Sequence, residues 1–131
     1  MKATLVRWGP VAGWMALIYL LSSQPALPKV GSADNDRLAP TLAHLGEYFV
    51  LSGLWWRALT GVPTRRLVGR AVCVVVIAIA FSLSDEWHQS FVPGRDAEWY
   101  DVAMDALGAT VGVFFVSRLN PARFGLGERR R

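Results

Sequence analysis

Four apolar blocks, Trp8 to Leu21, Leu42 to Trp56, Val68 to Leu83 and Val102 to Ser117, alternate with polar stretches along the chain. Each block falls slightly short of the roughly 20 residues that span a bilayer, and each reaches that length once flanking Trp, Tyr, Arg and Lys are counted at the interfaces. The pattern predicts an all-α, four-transmembrane-helix bundle, with helices over about 8–23, 40–57, 68–87 and 99–118 in a single domain spanning 1–131. A soluble bundle would need a polar stripe on every helix. Every residue from Ala71 to Phe81 is apolar, so the third helix has no wet face.

Boundaries follow from local chemistry. The first helix ends in Ser22-Ser23-Gln24-Pro25, where proline prevents simple continuation. A loop rich in Pro, Gly, Ser and Asp follows, and Pro40 suits the first turn of the second helix. Lys2 and Arg7 ahead of an apolar core also fit a secretory signal. Gln24-Pro25-Ala26 is a poor small-residue cleavage site, which favours a retained helix.

Composition agrees with a membrane setting: 53% of the 131 residues are hydrophobic and six are Trp. The lone Cys73 lies inside the third block, so it forms no intramolecular disulfide and reads as a small buried hydrophobe. Charge gives the blocks an orientation. Of 14 Lys and Arg, 11 precede helix one, follow helix four or lie between helices two and three, and three (Lys29, Arg37 and Arg95) lie in the other loops. The positive-inside rule then puts both termini in the cytoplasm and the first and third loops outside. The net charge of +4 reflects this arrangement and an affinity for anionic lipid headgroups. No basic-aromatic domain is present to hold nucleic acid.

The costly residues are the acidic ones. Charged groups beside or inside lipid-length segments mark function by default. Asp85 and Glu86 end the third helix, where they oppose the negative end of its dipole, and Asp101 and Asp105 stand in the fourth. In the second helix His44, Glu47, Tyr48 and Leu51 share one face, and Glu47 lies about 10 Å along from Pro40. A carboxylate at that depth must be paired, protonated or metal-bound. Simple structural roles compete in each case. Glu47 can order the bundle through His44 or a serine, His44 can sit among headgroups, and Asp101 can cap its helix. Val92-Pro93-Gly94-Arg95 fits a type II turn that folds Arg95 back towards Asp85 and Glu86, either as their permanent partner or as a phosphate clamp. Gly108 and Gly112 continue the Asp105 face as a small-residue stripe, for packing in the bundle or for an oligomer.

Three groups of residues resemble the VanZ-like family of small bacterial integral membrane proteins. They are YLLSSQP at Tyr19 to Pro25, His44 with Tyr48 and Leu51, and Ser84-Asp85-Glu86 with Gln89, Pro93-Gly94-Arg95, Asp101 and Gly108. The resemblance runs from about Pro10 to Phe115. Thr41 stands where the family often has Lys, and Asp105 where it often has Asn. That leaves Arg37 or a bound cation to balance the acids. The resemblance implies a protein of the bacterial cytoplasmic (inner) membrane and envelope, the namesake being associated with resistance to the glycopeptide antibiotic teicoplanin.

Three functions fit these residues. One is a non-catalytic envelope factor whose outward polar cluster binds a lipid-linked envelope precursor, its headgroup or a glycopeptide. Its binding candidates are Ser23, Gln24, Tyr48, Gln89, Arg95, Asp101 and Asp105. Another is a metal-assisted hydrolase or transferase acting on such a lipid. His44, Glu47, Asp85 and Glu86 are its catalytic candidates, and with Asp105 they make an oxygen-rich set suited to Mg²⁺ or Mn²⁺ and, with one His, less to Zn²⁺. No HExxH, GxSxG or P-loop accompanies them. The third is a small proton-coupled transporter built on Glu47.

Overall fold

A computed structural model describes residues 2–25, 33–60 and 67–119, with backbone alone at 33–37. It contains four antiparallel-connected helices: α1 (Lys2–Ser22), α2 (Ala33–Leu59), α3 (Leu67–Gln89) and α4 (Trp99–Leu119). The first loop, Arg65 and Arg66, and the Arg-rich tail from Arg123 lie outside the described residues.

α3 and α4 begin and end within two residues of expectation. α1 and α2 start earlier, at Lys2 and Ala33, so Pro10 and Pro40 lie inside helices and Pro40 does not open α2. An interior proline removes one backbone hydrogen bond. Neighbouring helices and local adjustment offset that loss in a bundle, so such prolines are tolerated in membrane helices.

The outer surface is largely apolar, and several polar side chains are enclosed inside the bundle. On α3, Val72 and Val76 are 56% and 57% exposed, whereas Ser82 of the same helix is fully enclosed. In water that outer surface would carry a large cost, and in lipid it carries none. α1, α3 and α4 are each long and apolar enough to cross a membrane. α2, expected as the fourth span, does not reach that hydropathy by itself among the described residues. Its polar groups explain the difference. His44, Tyr48 and Ser52 recur every fourth residue, on the face turned towards α3 and α4.

α2 packs most extensively on α4. A Cβ added at Gly108 would collide with the Leu45 carbonyl, and one at Gly112 with the Phe49 carbonyl and Ser52 Oγ. The small-residue stripe therefore serves α2–α4 packing inside the chain. Below it, two apolar layers fill the bundle. Ile18, Tyr48, Leu51, Ala78 and Ala109 form one, and Trp56, Leu59, Val74 and Val113 the other. Cys73 packs half-buried against the second.

The two ends differ in charge. At one, Arg7 Nε donates to the Ala58 carbonyl (2.5 Å), Arg57 Nη2 donates to the Val6 carbonyl (2.8 Å), and Arg70 lies 5.5 Å from the Trp56 ring centre. The acidic residues of α3 and α4 collect at the other.

Candidate functional site

The acidic end is assembled by the turn between α3 and α4. Arg95 N–H donates to the Val92 carbonyl (3.1 Å), and Gly94 has a φ of 77°. This is the type II geometry that Pro-Gly in the middle of the turn favours. The turn carries the Arg95 guanidinium across to the end of α1. There Nε donates to the Gln24 carbonyl (3.1 Å), Nη2 to the Leu21 carbonyl (3.2 Å) and Nη1 to Gln89 Oε1 (3.4 Å). These carbonyls belong to the end of α1 and the residues just after it, where the i→i−4 ladder runs out, although the Leu21 carbonyl also accepts the Gln24 N–H (3.2 Å). Of the two roles open to Arg95, pairing with Asp85 and Glu86 gives way to a helix-end clasp, because α1 stops where the guanidinium arrives.

Asp85 finds neutral partners. Ser22 Oγ donates to its Oδ1 (2.7 Å) and Gln89 Nε2 to its Oδ2 (2.9 Å), which links α1 to α3 through a buried carboxylate. Beside this chain, His88 stacks on Tyr19 with ring centres 4.3 Å apart, and its Nε2 lies 3.0 Å from Ser23 Oγ.

A second node lies between α2, α3 and α4. Asp105, 2% exposed, accepts from His44 Nδ1–H through Oδ1 (2.9 Å) and from Ser82 Oγ through Oδ2 (2.6 Å). Because the carboxylate accepts at Nδ1, it fixes the neutral imidazole as the tautomer with an acceptor at Nε2. Nε2 points to the mouth of the bundle, 3.8 Å from Asp101 Oδ2. Glu86 closes the same space. One of its oxygens accepts the Glu98 backbone N–H (2.9 Å), and the other is buried without a hydrogen-bond partner among the described residues. His44, Glu86 and Asp101 each offer a donor atom, and these atoms lie within 4.8 Å of one another.

Of the expected metal set, the structure gathers His44 and Glu86 with Asp101, and uses Asp105 to orient the imidazole. Asp85 belongs to the neighbouring node. Glu47 is half-buried one turn deeper than His44, where its backbone carbonyl accepts from Trp14 Nε1 (2.9 Å). Tyr48 is fully buried in the core beneath Asp105. Gln24 contributes its backbone carbonyl to Arg95, with its side chain turned back to the Leu20 carbonyl. Ser82 shares a helix face with Asp85, Glu86 and Gln89, a spacing readable from the sequence alone. Ser22 lies within the YLLSSQP stretch, with nothing to name its partner, and His88 carried no comparable signal.

Between the end of α3 and the start of α4 lies a cavity of about 290 Å³, lined mainly by Leu83, Trp87, Trp99 and Val102, with Glu86 on its wall. Its largely apolar sides, with Glu86 and Glu98 on the rim, suit an amphipathic guest.

The chain shows no match among curated proteins and none among solved structures. A family model described as VanZ/LLP1 does match, over residues 8–120, which take in most of α1 and all of α2, α3 and α4 together with both polar nodes. The chain, a helical membrane bundle with a polar centre at one end, belongs to the VanZ/LLP1 family.

Proposed function

We propose that this VanZ-like protein is a multi-pass protein of the bacterial cytoplasmic membrane that binds the headgroup of a lipid-linked envelope precursor at its acidic end, on the outer face. The observation that carries this reading is the cavity between α3 and α4, where an apolar wall for a lipid chain meets Glu86 of the polar cluster. Exposed Trp87, Phe91, Trp99 and Tyr100 surround that end, as side chains of an interfacial aromatic belt do. Through such binding the protein would alter what reaches the outer surface, which is the level at which a contribution to teicoplanin-type resistance would act.

The test uses nanodiscs containing the full chain and a fluorescent polyprenyl-diphosphate sugar as probe. Val102→Trp fills the cavity from a half-buried position and should weaken probe binding at least tenfold while thermal stability holds. Equal affinity for the two proteins would remove the cavity from the reading.

The Asp105–His44 pair supports a second reading, hydrolysis or transfer on the same lipid, since a carboxylate-oriented imidazole is a competent general base. Product release from the same probe, abolished by His44→Gln, would distinguish it from binding alone.

A further inference from the structure

We infer that His44, Glu86 and Asp101 form a binding site for one divalent cation of the Mn²⁺ kind, with Asp105 holding the imidazole in its ligating tautomer. The first support is geometric. The three donor atoms come from three different helices and lie within 4.8 Å of one another. Two donors about 2.1 Å from one ion stand at most about 4.2 Å apart, so closure of less than about 1 Å completes the set. The 3.8 Å between His44 Nε2 and Asp101 Oδ2 is too long for a hydrogen bond and suits two ligands of a common ion.

The second support is an orphaned atom. Glu86 is 6% exposed, and its Oε1 has no hydrogen-bond partner among the described residues although Oε2 is used by the Glu98 N–H. A buried carboxylate oxygen without a donor is costly and requires an explanation such as an ion. The third is the arrangement behind the ligands. A metal-bound histidine characteristically donates its other N–H to a carboxylate, as His44 does to Asp105, which itself is held by Ser82.

Charge points the same way. Glu86, Asp101 and Asp105 surround a single imidazole, and Arg95, the described guanidinium at this end, is engaged with the α1 carbonyls and Gln89. One imidazole with two carboxylates and room for water suits Mn²⁺, which accepts mixed nitrogen and oxygen donors. The site stands on these side chains alone, whether or not a lipid headgroup docks beside it.

The experiment is an electron paramagnetic resonance titration of Mn²⁺ into the detergent-purified full chain. We expect one tightly bound ion per chain, with nuclear modulation from an imidazole nitrogen. Asp101→Asn, altered at a half-buried position in the mouth, should keep its fold and weaken Mn²⁺ at least tenfold, as should Glu86→Gln. Asp105→Asn should cost about 10- to 100-fold in Mn²⁺ affinity, the usual penalty for losing an outer-shell partner. Asp96→Asn, an exposed acid in the same turn, should leave Mn²⁺ binding unchanged. Absence of saturable binding overturns the proposal. So does unchanged affinity in Asp101→Asn, or an equal loss in Asp96→Asn, which would mean diffuse attraction to an acidic surface. Loss of lipid-probe binding with Mn²⁺ binding intact would remove the headgroup reading and leave the metal site standing.

Discussion

Asp105 joins three helices, since it receives His44 from α2 and Ser82 from α3 while itself belonging to α4. Asp105→Leu should therefore be strongly destabilising, by about 3–5 kcal/mol, because it leaves two buried polar groups without their acceptor. Asp105→Asn keeps the shape and one acceptor oxygen and should cost about 1–3 kcal/mol. Thermal unfolding in detergent would rank the two, and equal stabilities would reduce Asp105 to a filler of space. That His44, Glu86 and Asp105 would need polar partners was legible because ionisable residues in apolar segments are few and costly. Their partners were not legible. Helical spacing tells which residues share a face, whereas the choice between Arg95 and Ser22 as partner for Asp85 depends on where α1 ends in space.

At the scale of elements, the α2–α4 seam and the α3–α4 turn do different jobs. Gly108→Ala and Gly112→Ala each place a carbon against backbone of α2, so either should separate the helices and lower folded yield sharply. Gly46→Ala, at an exposed position of α2 with no described atom within 4 Å of the added carbon, should be neutral in the same expression and unfolding assays. If all three behaved alike, close approach would not be the reason for the stripe. Arg95→Lys loses the fork that reaches two α1 carbonyls and Gln89 together, and should lower stability by about 1 kcal/mol, consistent with its partly exposed position. An unchanged melting temperature would show that the clasp contributes nothing measurable. Helices α3 and α4 could be read almost to the residue, since continuous apolar runs leave few options. The starts of α1 and α2 could not, because proline at a first turn is the better local choice and only the assembled bundle makes an interior proline tolerable.

The whole molecule has a basic end and an acidic end, and the distribution of Lys and Arg predicts which faces the cytoplasm. Reporter fusions after residues 60, 95 and 131 should give cytoplasmic, outer and cytoplasmic signals. A cytoplasmic signal at 95 would place the acidic cluster on the inner face. That α2 and α4 form the tightest pair also bears on how the chain is made. They are separated by α3 in order of synthesis, and α2 has the polar face that lipid tolerates least. Until α4 emerges, α2 has no glycine seam to close against and His44 no Asp105 to receive its proton donor. Membrane insertion and assembly are therefore separate events for this helix: α2 must be sheltered, by the insertion machinery or by its neighbours, until the last of the four helices arrives. A chain halted before Trp99 would be an exposed substrate for membrane quality-control proteolysis, and supplying α4 as a separate fragment should rescue it.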